Sequence, residues 1–258
     1  MLDWNPALYS RFEDERTRPA RELLARVPLD APAHVVDLGC GPGNSTELLA
    51  ARYPRAQLVG LDSSETMLAS ARKRLPGVDF VKGDIAHWAP STAPNLLYAN
   101  ASLQWVAEHE TLIPRLFASL APGGVLAIQM PDNRAEPSHR LMREVAAMAP
   151  WQSTIASSGQ QRTALLNVGT YYDLLAPLAA TVDVWHTIYQ HPMASAQAIV
   201  EWVSATGLRP YVDPLPEPLR AGFLAEYTQR VAQAYLPHAD GQRLLSFPRM
   251  FIVAQRPS

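Results

Sequence analysis

Residues Val35-Val36-Asp37-Leu38-Gly39-Cys40-Gly41-Pro42-Gly43 form a β-branched run, then an acidic residue, then three glycines at alternate positions. The spacing predicts a strand that ends in a loop with almost no side chains. Glycine admits φ > 0 and lets a ligand lie against bare main chain, and this loop falls where the strand should hand over to a helix opening near Asn44-Ser45-Thr46. The natural occupant of such a loop is a nucleotide-like ligand.

A second acidic residue closes the apolar run Leu58-Val59-Gly60-Leu61-Asp62, about 20 residues beyond the glycines, where a nucleotide fold places its ribose-binding carboxylate. The glycine pattern then chooses between ligands. A dinucleotide fingerprint asks for a small residue three positions after its second glycine, and this chain has the larger Asn44 there. Pro42 removes an N–H that a pyrophosphate would use. Asp37 at the strand tip repels a diphosphate and suits a cationic amino acid group. These three features point away from a nicotinamide dinucleotide.

On these residues the chain resembles the class I S-adenosylmethionine-dependent methyltransferases, and the likeness continues through residue 130. The resemblance implies a Rossmann-like α/β fold: a seven-stranded sheet with helices on both faces and a helical insertion before the last strand. It implies S-adenosylmethionine as cofactor, bound by Asp37, Gly39, Gly41, Gly43, Asn44, Asp62, Ser63, Met67, Asp84, Ile85 and Asn100. Asp62 would hold the ribose and Asp84 the adenine amino group, with Ile85 packing nearby. Asn100 would face the methionine end.

Strands are expected near 33–38, 56–62, 78–82, 94–99, 123–130, 180–189 and 247–255, and helices over 44–52, 64–75 and 109–119. The last two strands are separated by about 55 residues, where a short connection is common. That stretch is helical in pattern over 196–206 and 217–235 and is broken by Pro210, Pro214, Pro216 and Pro218. The expected organisation is one domain over 1–258, with an N-terminal helical cap (1–30), a cofactor-binding core (31–135) and a helical lid (190–245). Trp4, Tyr9 and Phe12 stand at helical spacing and predict an amphipathic face in the cap.

Segments such as Trp4-Asn5-Pro6, Gln129-Met130-Pro131-Asp132-Asn133, Gly207-Leu208-Arg209-Pro210 and Phe247-Pro248-Arg249 carry the resemblance further, to members of the family that esterify a small tricarboxylic acid. Carboxylate attack on a methyl sulfonium needs no general base, because a carboxyl group with a pKa near 4 is ionised at neutral pH. No catalytic base and no metal are therefore expected. The carboxylates that do not react need cationic or hydroxyl partners, and the candidates are Arg209, Arg249, His186 and Arg16, with Tyr171, Tyr172, Trp202, Gln104 and Trp105 as neighbours. Another small acid or a phenol as acceptor, and a catalytically silent cofactor-binding module, stay open as alternatives.

A formal charge of −2 and a pI near 6.4 argue against a nucleic-acid partner, which would call for a basic stripe. The start has no signal pattern, and no apolar run reaches the length that crosses a bilayer. No membrane association and no obligate protein partner are expected. With a single cysteine, Cys40, read as a small space-filler in the loop, the cytoplasm is the expected compartment.

Overall fold

The computed structural model describes residues 13–157, 164–204 and 207–258. Trp4, Tyr9 and Phe12 lie outside the described residues. Arg16 lies on the helix Glu13–Ala25, but its side chain is not among those described.

Seven strands form one sheet: β1 (His34–Leu38), β2 (Gln57–Asp62), β3 (Asp79–Lys82), β4 (Leu96–Asn100), β5 (Val125–Pro131), β6 (Thr181–Met193) and β7 (Arg243–Gln255), in the order β3-β2-β1-β4-β5-β7-β6. The first five run parallel, and β7 pairs antiparallel with β5. Sequence and position agree. The apolar runs of β4 and β5 are buried along almost their whole length, as central parallel strands covered on both faces require. Thr181–Met193 alternates between exposed and partly buried residues over most of its length, the signature of an edge strand. The order runs outward from β1 to β3 and returns to β4, so the topological switch lies between β1 and β4. Ligands in open α/β sheets bind at that crevice, beyond the carboxyl ends of the strands.

Among the described residues the chain divides into two compact units. One comprises residues 13–131, 164–187 and 249–258, and the other 132–157, 188–204 and 207–248. In the first, the helices Asn44–Arg52, Glu65–Arg74 and His109–Ala118 connect strands. Ser64 caps the second of them, its hydroxyl accepting from the Met67 N–H at 3.4 Å. The helix Glu13–Ala25 packs on β5 and on Asn44–Arg52. The fully buried Tyr98 donates its hydroxyl to the Ala20 carbonyl at 2.6 Å, and Arg52 donates to the carbonyls of Leu24 and Val27, closing the helix's last turn.

The second unit is mostly helical, with helices Pro137–Ala146, Gln152–Ala156, Ala196–Ser204, Arg209–Val212 and Glu217–Ala234. Two tyrosines brace the start of Pro137–Ala146: the Tyr235 hydroxyl accepts from the Ser138 N–H at 3.0 Å, and the Tyr227 hydroxyl donates to the Ser138 carbonyl at 2.8 Å. His191, Trp202 and Phe247 form a ring cluster, with His191 and Trp202 centroids 4.7 Å apart.

Candidate functional site

The three loop glycines adopt φ of +72°, +54° and +92° at Gly39, Gly41 and Gly43. They serve different ends. A Cβ on Gly39 would stand 2.3 Å from the Ser102 Cβ, so glycine there lets the loop after β4 pack against the loop after β1, and the Ser102 hydroxyl donates to the Leu38 carbonyl at 2.6 Å. A Cβ on Gly41 would meet nothing within 4 Å. Glycine at 41 thus presents main chain to open space.

Asp62 ties the loop down from the neighbouring strand. One carboxylate oxygen accepts from the Gly41 N–H and the other from the Ser64 N–H, both at 2.9 Å. Both oxygens keep acceptor capacity for a ligand. Asp37 lies deeper, with 0% exposure. Its Oδ2 accepts from the hydroxyls of Ser45 at 2.7 Å and Thr46 at 2.6 Å, while Oδ1 has no hydrogen-bond partner among the described residues. Burial lifts this carboxyl to about 6, against the pull of the Thr46 and Ser45 hydroxyls and with a further push from the charge of Asp62. The Asn100 side-chain oxygen, at the end of β4, is likewise buried without a partner among the described residues.

Two orphaned acceptors at adjacent strand ends, one of them anionic, fit an ammonium group. Bare main chain at Gly41 and a carboxylate at Asp62 fit a sugar beside it. The donor set therefore accommodates adenosine joined to a cationic amino acid.

The remaining expected cofactor residues are near the strand ends. Asn44 opens its helix, Ser63 is exposed, and Met67 stands in the first turn after Ser64. Asp84 is exposed, with one oxygen accepting from the Ala86 N–H at 2.9 Å and the other 3.3 Å from His87 Nδ1. Ile85 is buried in the core. Cys40, within the glycine loop, is buried against Leu68, Ala71 and Phe80, its thiol pushed up by burial and by Asp37 and Asp62.

Substrate candidates divide more sharply. Arg249 is buried, and its Nη1 donates to Gln129 Oε1 at 3.2 Å. Gln104 is buried and donates to the Ala101 carbonyl at 2.7 Å. Trp105 is 42% exposed in the short helix Leu103–Trp105, and Tyr172 is exposed. Arg209 is held by Asp213 at 3.1 Å. His186 sits exposed on edge strand β6, and Trp202 is buried in the ring cluster of the second unit.

Tyr171 is fully buried in the main core, and its hydroxyl meets His109 Nδ1 at 2.6 Å. The other His109 nitrogen bonds the Leu103 carbonyl at 2.9 Å, so Tyr171 braces the loop after β4. Sequence reasoning missed the grip of Ser45 and Thr46 on Asp37. The two hydroxyl residues that follow Gly43-Asn44 were the available signal.

Fold, glycine loop and orphaned strand-end acceptors together define a class I S-adenosylmethionine-dependent methyltransferase, and a family model described as "Methyltransferase domain" matches residues 35–124. The chain is 72% identical over 258 residues to a trans-aconitate 2-methyltransferase of Paracidovorax citrulli (strain AAC00-1), and 71% identical over 257 residues to one of Variovorax paradoxus (strain S110), with 99% of each chain covered in both cases. The chain belongs to the trans-aconitate 2-methyltransferase family, and S-adenosylmethionine is its cofactor. Solved structures share the fold: the YcgJ protein of Bacillus subtilis has a TM-score of 0.60 at 11% identity, covering 93% of this chain and 99% of that one. A phosphoethanolamine N-methyltransferase of Haemonchus contortus, solved with S-adenosylhomocysteine, has a TM-score of 0.56 at 16% identity, covering 93% of this chain and 53% of that one.

Proposed function

We propose that this chain methylates a carboxylate oxygen of trans-aconitate, giving a monomethyl ester and S-adenosylhomocysteine. The observation that carries the reading is the full-length identity to relatives bearing that name, which spans the helical insertion as well as the cofactor motifs. When bound, S-adenosylmethionine supplies an electrophilic methyl on a cationic sulfur, which is released as a neutral thioether once the methyl has passed to oxygen.

No side chain has to take a proton, because the acceptor is already a carboxylate at neutral pH. The chain's work is placement. Asp37 and Asn100 would take the ammonium, Asp62 the ribose hydroxyls and Asp84 the adenine amino group, with Gly39, Gly41, Gly43, Asn44, Ser63, Met67 and Ile85 shaping the bed. Orientation of this kind supplies about 7–11 kcal/mol of barrier reduction in favourable cases.

The test is incubation with isotopically labelled S-adenosylmethionine and a panel of di- and tricarboxylates and phenols, followed by mass analysis. The expected product is trans-aconitate carrying one labelled methyl. Preference for another acid or a phenol, or no turnover, would replace this reading with one of its alternatives.

Arg209 is proposed as a carboxylate partner within the segment 190–245 expected to act as a lid. Its ion pair with Asp213 holds the guanidinium in one orientation. Arg209→Ala is expected to raise the acceptor KM about tenfold, the scale of one charged hydrogen bond, with S-adenosylhomocysteine affinity unchanged by calorimetry. An unchanged KM would remove Arg209 from recognition. The cytoplasm belongs to the same reading. It is supported by a single, buried cysteine, and among the described residues no helix is long and apolar enough to cross a membrane.

A further inference from the structure

The sheet face that carries Asp37 and Asn100 holds a second polar group at the carboxyl end of β5. Strand alternation puts Asp37, Tyr98, Asn100, Gln129 and Arg249 on one face, opposite the face of Leu38, Ala99, Ile128, Met130 and Met250 that builds the main core. Gln129 pairs in register with Asn100 on β4. Because β7 runs antiparallel, Arg249 falls beside Pro131 at the same end of the sheet.

Gln129 is 0% exposed and Arg249 5% exposed. The Arg249 guanidinium donates to Gln129 Oε1, which fixes which end of the amide is oxygen and which is NH2. That Nε2 has no acceptor among the described residues, and the Asn100 oxygen on the paired residue has no donor among them. Although they are register neighbours, the two orphans do not bond to each other. Folded proteins seldom keep a buried N–H2 without an acceptor, and where they do a ligand or ordered water completes the set.

We infer that Gln129, braced by Arg249, receives a carboxylate oxygen. An amide donor beside a guanidinium presents planar N–H groups to a singly charged planar anion, the geometry that carboxylates match. Two carboxylates come to this site: the methionine carboxylate of the cofactor and a carboxylate of the methyl acceptor. For the second source the inference rests on the function proposed above; for the first it rests only on cofactor binding.

Gln129→Leu keeps the volume and removes the donor. In the full-length enzyme, calorimetry with S-adenosylhomocysteine and with 5′-methylthioadenosine, which lacks the amino acid part, is compared with the KM for whichever acceptor the panel returns. If the cofactor supplies the carboxylate, S-adenosylhomocysteine affinity falls about tenfold while methylthioadenosine affinity holds. If the acceptor supplies it, KM rises about tenfold while both affinities hold. The inference is overturned if no constant moves more than twofold in a variant that unfolds like wild type, or if methylthioadenosine affinity falls as much as that of S-adenosylhomocysteine. Gln129→Glu covers the case in which leucine does not fold: it keeps the bond from Arg249 and replaces the donor by a negative charge. Its loss is expected to exceed tenfold on the same constant, and wild-type behaviour of this variant would also overturn the assignment. The calorimetric arm needs no turnover, so a failed acceptor panel and a failed carboxylate contact are read separately.

Discussion

Asp62→Ala is expected to lower affinity for S-adenosylhomocysteine about 10- to 150-fold, or about 1.5–3 kcal/mol, by calorimetry. The carboxylate has two tasks. It offers acceptor capacity to a ribose, and it already holds the N–H groups of Gly41 and Ser64. Alanine removes both, leaving the glycine loop without its tie to β2. Asp62→Asn separates the tasks: its one oxygen can keep one amide, and its NH2 faces the other donor. An intermediate loss is expected for asparagine. Affinity equal to wild type in both variants would take Asp62 out of the site.

Asp37→Asn is expected to stabilise the cofactor-free protein at pH 7.5 while weakening cofactor binding. The folded chain holds the Asp37 proton more tightly than an unfolded chain does, with a pKa of about 6 against an ordinary 3.8. The stability tied to that proton is complete below pH 3.8 and is lost as pH rises through 6. At neutral pH the fold therefore carries a buried charge, at a cost of up to about 3 kcal/mol. An asparagine oxygen can keep the hydroxyls of Ser45 and Thr46 without that charge. Denaturant unfolding of the two proteins should converge at pH 3.5 and separate at pH 7.5 in favour of the variant. A cationic ligand reverses the balance, so wild-type affinity should fall as pH drops through 6 and the asparagine variant should lose that dependence. A variant less stable than wild type at pH 7.5 would contradict this account.

The carboxyl groups and glycines were legible in the sequence because strand ends and loops are local features. The apolar runs of β1 to β5 and the helix Asn44–Arg52 fall at or within two residues of their expected bounds. The last two strands run four residues longer than expected on one side each, to Met193 and from Arg243, and each contains a proline, Pro192 and Pro248. Edge positions and unpaired stretches of a sheet tolerate proline, and the Pro248 carbonyl still accepts from the Asp132 N–H at 2.9 Å. The helix Pro137–Ala146 went unmarked although Glu136-Pro137 is a helix opening, with proline in the first turn. The four-residue spacing of Tyr171 and Leu175 marks a buried helix face, and both are fully buried. Gln129 could not be found in one dimension, since its role depends on a residue 120 positions away.

Cys40, a residue of the glycine loop packed against Leu68, Ala71 and Phe80 and held as a neutral thiol, leaves the protein with no reactive sulfhydryl on its own account. Alkylating reagents and mild oxidants should pass it by, so purification needs no reductant. Any cysteine introduced on the surface becomes a unique attachment point for a fluorophore or spin probe, with the native sequence as the unlabelled background.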